Sequence, residues 1–344
     1  MKKLWAVVAI ICSLSLTLVG CGNTSKQEKV EEPKSDAVEI GMVFDTFVIE
    51  RWERDRDVFV SIANELGATV DVQNPNGSVK SQIEAIQYFI DKKVDVIVIV
   101  PIDSEALAEV IQEAKDAGIK IMSYDRLCTD TNVDVYISFD NNRVGQCMGE
   151  SIQKQMSPGD NVIMVCGPLT DSNVTMVAEG FEQVCDAHGL NVIDKVYMDE
   201  WKAELAYEYI NSNIDKVRGC KAIMCGNDNL ATQVVFALAE NRLAGQIIVT
   251  GQDADLDACQ RIAEGTQYMT VYKPINVLAE QAARTAVDLA KGNEIVYDDL
   301  LENGDYSIPF IKLSPETVTL ENMDATIIDS GFHLKDEVYL GSTD

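Results

Sequence analysis

Between residues 40 and 272 short apolar runs alternate with helical stretches almost without a break, and this alternation leaves few folds open to the chain. Runs at 40–44, 69–73, 94–100, 119–123 and 135–139 are short, rich in Val and Ile, and closed by polar or glycine-containing turns. Strands covered on both faces read this way, as the strands of a parallel sheet do. Helical stretches at 50–66 and 78–92 separate them. The next one shows its period plainly, with Leu107, Val110, Ile111 and Ala114 at i, i+3, i+4 and i+7. Strict alternation predicts βαβ units. A second series follows, with strands at 162–165, 192–197, 221–225 and 247–250 between helices at 141–156, 173–188, 203–214 and 229–241. Two consecutive sets of similar size predict two similar doubly wound α/β domains with parallel sheets.

The stretch 247–274 ties the second series to the end of the chain. Ile247-Ile248-Val249-Thr250 is closed by Gly251, and Asp253 follows at the strand's carboxyl end. A short helix leads to another strand over 268–272, which ends in Lys273-Pro274. A helix over 276–291 places Leu278, Ala282, Ala286 and Leu289 on one face. The tail has strand-like pieces at 307–313 and 325–328.

Open α/β sheets bind ligands outside the carboxyl ends of their strands. Polar residues gather at those ends here: Arg51 and Trp52 after the first strand, Asp125 and Arg126 after 119–124, and Asn173 beyond 162–167. Trp201 follows 192–198, Asn227 follows 221–225, and Asp253 and Lys273 complete the set. The residue types suit a sugar. Asp, Asn and Arg each engage two adjacent hydroxyls, and a Trp plane suits the C–H face of a pyranose. Each residue alone has a plainer reading. Arg51 fits a solvated helix face with i,i+4 pairs, Trp201 fits core packing and Lys273 the surface. Asp125 and Asn227 fit helix caps or turns. Their joint placement favours a shared cleft.

The N-terminus reads as an export signal. Lys2 and Lys3 precede an apolar run over 4–19, closed by Leu18-Val19-Gly20-Cys21. Residues 22–37 are polar and read as a flexible tether. The chain carries 56 acidic and 28 basic residues, a net charge of −28, which repels nucleic acid and anionic lipid. Besides Cys12 and Cys21 there are Cys128, Cys147, Cys166, Cys185, Cys220, Cys225 and Cys259. An odd number cannot all pair, and their apolar surroundings predict buried free thiols.

Catalytic and metal signatures are weak. There is no G-x-S-x-G, no Gly-Lys-Ser/Thr phosphate loop, and no G-x-G-x-x-G after a strand. The only histidines are His188 and His333, and no Cys-x-x-Cys occurs. Asp253, Asp255, Asp257 and Glu264 have calcium-loop spacing, but Ala258 stands where the loop needs glycine, and a strand precedes it. No metal and no cofactor is expected, nor any catalytic residue.

Several stretches resemble a known group: ERWERDRDVF from Glu50, SYDRL from Ser123, DVYISFDN from Asp134, GNDNLAT from Gly226, TGQDADLDACQRIAEGTQYMTVYKP from Thr250, and SGFH from Ser330. They are similar to the periplasmic sugar-binding proteins of bacterial ABC importers, the type I or ribose/galactose-binding group, and within it to the D-xylose binders. The tail of Leu-Val-Gly-Cys resembles the bacterial lipobox, which implies a signal peptide over 1–20, a lipid on Cys21 and a tether over 21–37. The resemblance implies two α/β domains joined by a three-segment hinge. An N-terminal lobe would hold 38–139 and 274–296, and a C-terminal lobe 140–273 and 297–344. It implies sugar contacts at Arg51, Trp52, Asp125, Arg126, Asn173, Trp201, Asn227, Asp253 and Lys273, with residues 45–49 able to alter preference among pentoses and hexoses. The expected ligand is a monosaccharide, D-xylose first, with glucose, arabinose and galactose as alternatives. The expected partners are the membrane subunits of an ABC permease, or a chemoreceptor or sensor kinase in a sensing role. The expected state is a monomer outside the cytoplasm, touching the membrane through its lipid alone.

Overall fold

The computed structural model describes residues 37–48 and 51–340. The expected signal peptide, the Cys21 acylation site and the tether up to residue 36 lie outside the described residues. The first series is β1 (Glu39–Val43), α1 (Arg51–Glu65), β2 (Thr69–Gln73), α2 (Val79–Lys92), β3 (Val96–Ile99), α3 (Ala108–Asp116), β4 (Lys120–Tyr124) and β5 (Val135–Phe139). Its strands are parallel, in the order β2-β1-β3-β4-β5.

The second series is α4 (Asn141–Gln153), β6 (Asn161–Cys166), α5 (Ser172–His188), β7 (Asn191–Tyr197), α6 (Ala203–Ser212), α7 (Ile214–Val217), β8 (Ala222–Cys225), α8 (Asp228–Glu240), β9 (Ile248–Thr250), α9 (Leu256–Glu264) and β10 (Thr270–Tyr272). β7-β6-β8-β9 are parallel neighbours, and a parallel bridge between Thr250 and Met269 leads on to β10. Both sheets therefore reverse their winding between the first and third strands of the series. Such a switch point leaves a crevice at the carboxyl edge.

Each sheet is buried on both faces, which explains the uninterrupted apolar runs. Every residue of β3 and β8 is buried. One face of the first sheet packs Phe44, Val98 and Ile137 against Phe59, Leu278 and Ala282 of the covering helices, and the other packs Ile97 and Ile121 against Ile86, Phe89 and Ile111. The second sheet repeats the plan, with Val165 and Ile223 against Ile210 and Val234 on one face, and Met164 and Met224 against Val144 and Phe181 on the other.

The remaining elements are α10 (Ile275–Lys291), β11 (Asp299–Asn303), β12 (Tyr306–Leu313), β13 (Glu316–Val318) and α11 (Lys335–Val338). The chain crosses between the sheets three times: after β5, between β10 and α10, and between β12 and β13. The last crossing corrects the expected boundary. Residues 297–313 do not join the second sheet. β12 pairs parallel with β5, and β11 pairs antiparallel with β12 at the edge of the first sheet. Ile308 and Ile311 are buried there. An alternating strand shows that it needs a sheet but not which one.

Residues 325–328 correct a second expectation. They form a wide helical turn, Asp324–Ile328, and not a strand. Asn322 turns the chain first: its Oδ1 accepts from the Thr319 N–H at 2.8 Å and its Nδ2 donates to the Thr317 carbonyl at 2.8 Å. The turn buries Ile327 with Tyr272, Met323 and Phe332.

Candidate functional site

The carboxyl edges of the two sheets face each other across a cleft. All nine residues proposed from the sequence line it: Arg51, Trp52, Asp125 and Arg126 from the first sheet's side, Asn173, Trp201, Asn227 and Asp253 from the second's, and Lys273 at a crossing. Asn141, Cys166, Asp171 and Gln252 also line it.

Arg51 opens α1 and is buried. Its Nη2 lies 2.9 Å from Asp125 Oδ2 and 3.3 Å from Asp55 Oδ1, and its Nη1 lies 3.8 Å from Asp253 Oδ1. The i,i+4 pair with Asp55 therefore exists, but in the interior. Burial works against the guanidinium charge. Asp125, Asp55 and Asp253 outweigh it and raise the pKa well above its ordinary value. Asp125 follows the same balance. Burial pushes its carboxyl up, but Arg51, Lys273 and Arg126 hold it below the usual range.

Asp125 sits in the left-handed region, with φ 61°. Three side chains hold its carbonyl: Tyr136 Oη donates at 3.0 Å, Ser138 Oγ at 2.5 Å and Asn173 Nδ2 at 3.1 Å. A non-glycine residue in this conformation persists where its surroundings overdetermine it. Asn173 spans the cleft, because its Nδ2 also donates to Asp125 Oδ1 at 3.2 Å and its Oδ1 accepts from Asn141 Nδ2 at 2.9 Å.

Arg126 is fixed by Asp45 Oδ2 at 2.7 Å and the Pro101 carbonyl at 3.1 Å, both through Nη1, while its Nε lies 2.7 Å from Asp171 Oδ2. The Arg51 and Arg126 guanidinium carbons lie 4.4 Å and 5.6 Å from the Trp52 ring centroid, within cation–π range. Lys273 Nζ lies 2.7 Å from Asp253 Oδ1. Asp253, with φ 101°, and Ala254, with φ 56°, form a tight loop after β9. Asp228 holds that loop: its N–H donates to the Gln252 carbonyl at 2.9 Å, and its Oδ2 accepts from the Asp255 N–H at 3.1 Å.

Asn227 caps α8 by accepting from the Leu230 N–H at 2.9 Å and still faces the cleft. The turn-forming and cleft readings of Asp125 and Asn227 thus both hold. Trp201 follows a short turn at φ 55°. Its ring lies flat against Gly167, where a Cβ would sit 2.3 Å from the indole. The calcium-spaced carboxylates turn to different partners: Asp253 to Lys273, and Asp257 to Arg261 at 2.6 Å and Thr232 at 2.8 Å. Buried Trp52 Nε1 and Gln252 Oε1 have no hydrogen-bond partner among the described residues, and both side chains line the cleft. Such groups carry a desolvation cost that a polar ligand would offset.

The sequence reading omitted Asp55, Tyr124, Asn141, Gln252 and Asp171. Asp55 accepts from Tyr124 Oη and is buried behind Arg51. Asp171 had a legible signal, as Asp-Ser-Asn before a helix is a capping sequence.

A model of the periplasmic binding protein domain matches residues 40–294. Over 334 residues the chain is 38% identical to a D-xylose-binding periplasmic protein of Haemophilus influenzae, covering 96% of this chain and 99% of that one. It is also 38% identical over 309 residues to the D-xylose-binding periplasmic protein of Escherichia coli, covering 88% and 92%. Among solved structures, an ABC transporter solute-binding protein from Clostridium phytofermentans with bound β-D-glucose superposes with a TM-score of 0.80 at 26% identity, covering 87% of this chain and 99% of that one. One from Chloroflexus aurantiacus in complex with D-glucose gives 0.80 at 26%, covering 88% and 98%. The matched family, the shared length and the paired sheets agree: this chain belongs to the periplasmic binding proteins, a family of extracytoplasmic binding proteins and not of enzymes.

Proposed function

We propose that the cleft binds one uncharged monosaccharide, D-xylose before others, and that the chain delivers it to an ABC permease. The observation that carries this reading is the convergence of forked polar groups and two indoles from both sheets on one cleft. Arg51, Arg126 and Lys273 each face a carboxylate already. An anionic ligand would displace those partners, whereas hydroxyl groups insert among them as both donors and acceptors. The D-xylose-binding relatives at 38% identity support the pentose.

Each sheet forms the core of one lobe, and the three crossings act as the hinge. A ligand touching both lobes stabilises the closed arrangement in proportion to its preference for that arrangement. A lipid on Cys21 would keep the protein at the membrane. Mass spectrometry of protein extracted from membranes tests this last point, and an unmodified Cys21 in the mature chain would refute it.

Glucose is the second reading, favoured by the two glucose-bound structural relatives. Calorimetric titration with xylose, glucose, ribose, arabinose and galactose decides between them. Tightest binding of xylose is expected. Tight binding of another sugar with none of xylose would overturn the pentose assignment.

A further inference from the structure

The tail hairpin β11–β12 supports the backbone of two cleft residues from outside the cleft. Asn303 closes β11, is 3% exposed, and turns its amide onto the loop that follows Arg126. Its Nδ2 donates to the Cys128 carbonyl at 3.0 Å and to the Thr131 carbonyl at 2.9 Å, and its Oδ1 accepts from the Asp130 N–H at 2.9 Å. Both ends of the amide are thereby committed to loop backbone. The hairpin turn lies against the same loop: a Cβ at Gly304 would sit 2.2 Å from Asp130 Oδ1. From Cys128 one hydroxyl leads to the cleft. Ser123 Oγ accepts from the Cys128 N–H at 2.8 Å and donates to the Arg126 carbonyl at 2.9 Å. On β12, Phe310 stacks on Tyr136 with ring centroids 4.6 Å apart, and Tyr136 Oη donates to the Asp125 carbonyl at 3.0 Å.

The loop depends on such support. Asp125 and Asp130 both sit in the left-handed region, at φ 61° and 54°, and non-glycine residues persist there where their surroundings overdetermine them. These hairpin contacts lie wholly on the first sheet's side, so they hold whatever the spacing of the lobes. We propose that Asn303 is a positioning residue for the cleft: it pins the loop 125–131 at its far end and so fixes where Arg126 presents its guanidinium. This rests on the reading of the cleft as a monosaccharide site, and it adds a residue that does not line that cleft. A forked group meets two hydroxyls well only when the shell behind it holds it in place. Removing the amide would also leave buried backbone groups of the loop without partners.

The test compares Asn303→Asp with Ile308→Val in the full chain. Asn303→Asp keeps the acceptor for the Asp130 N–H and loses both donor bonds. Asn303→Ser, uncharged and shorter, carries the test if that variant does not fold. Ile308→Val trims a buried side chain of the same hairpin and leaves the loop contacts intact, so it reports what lost stability alone does. The Arg126 guanidinium carbon lies 5.6 Å from the Trp52 ring centroid. 19F NMR of ligand-free protein carrying 5-fluorotryptophan therefore reads its position, with Trp52→Phe to assign the resonance. Asn303→Asp is expected to shift the Trp52 resonance, and Ile308→Val to leave it in place. In calorimetry, with both variants shown to be folded by urea titration, Asn303→Asp should weaken xylose binding about tenfold beyond Ile308→Val. A Trp52 resonance at its wild-type position, or an affinity loss no larger than that of Ile308→Val, would overturn the assignment. If the wild type bound none of the five sugars, the monosaccharide reading would fall, and the Trp52 resonance alone would decide whether Asn303 sets Arg126.

Discussion

Lys273 Nζ and Asp253 Oδ1 lie 2.7 Å apart with both side chains less than a tenth exposed, so each is the other's nearest opposite charge in the interior. They follow different strands, and Lys273 stands at the crossing into α10. A buried pair is costly to break from one side because the remaining charge stays out of water. Lys273→Met should destabilise the protein by about 3 kcal/mol, with Arg51 at 3.8 Å providing what compensation remains. Urea unfolding measures the loss, and titration should show sugar affinity reduced at least about tenfold. Stability within error of wild type would mean that the pair is not an interior one.

The contact between Trp201 and Gly167 gives a second prediction. A methyl group at 167 would sit 2.3 Å from the indole, so the ring must move. Gly167→Ala should cost about 1–3 kcal/mol through overpacking and lower sugar affinity more than it lowers stability. Tryptophan emission and calorimetry on the same sample separate the two effects. Unchanged emission with unchanged affinity would mean that the ring does not form the cleft wall.

Asp228 gives a pH dependence of definite sign. Burial pushes its carboxyl up to about 7, against Arg261 and hydrogen bonds from Thr270 and Gln267. An unfolded Asp titrates near 3.9. Between those values the folded state binds the extra proton, so this group's contribution to stability falls as pH rises from about 4 to 7. Asp228→Asn should flatten that slope, by up to about 4 kcal/mol across the range. Denaturant midpoints at pH 5 and pH 7.5 check this, and equal slopes in both proteins would refute it. Asp125 has the opposite sign: held below the usual range, its contribution is present above about 3.9 and is lost only as pH falls through the lower folded value.

The thiols give a fourth prediction. Cys128, Cys147, Cys166, Cys185, Cys220, Cys225 and Cys259 are buried and free. Burial pushes Cys128, Cys166, Cys185 and Cys220 up to about 12. Thiolate is the reactive form, so a disulfide reagent should modify these seven only after unfolding. Rapid labelling of any of them in native protein, located by peptide mapping, would contradict the buried assignment.

What the sequence made legible follows from where the information lay. The nine cleft residues stand in the loops that follow strands or in the first turn of the next helix, and a parallel sheet brings such positions to one edge whatever their distance along the chain. Arg126 and Asn227 were therefore readable without knowing the lobes. Residues behind the cleft have no such rule. Asp55 lies one helical turn beyond Arg51 in a stretch crowded with charges, and only packing shows that it faces inward to Tyr124. β11 was missed because Asp-Leu-Leu-Glu-Asn is mostly exposed and lacks β-branched residues; its partner β12 defines it. The turn at 324–328 was missed because two adjacent isoleucines suit a strand locally, whereas Asn322 bends the backbone beforehand.

The three crossings also bear on how the protein can be divided. Neither half is one continuous stretch of polypeptide, so no single truncation isolates it. Ending the chain before residue 299 would strip two border strands from the larger sheet and leave the flank of β5 uncovered. A protease nick at one crossing would leave the halves joined by two intact threads. Dissecting this molecule therefore calls for permutation or paired cuts, not for deletion from either end.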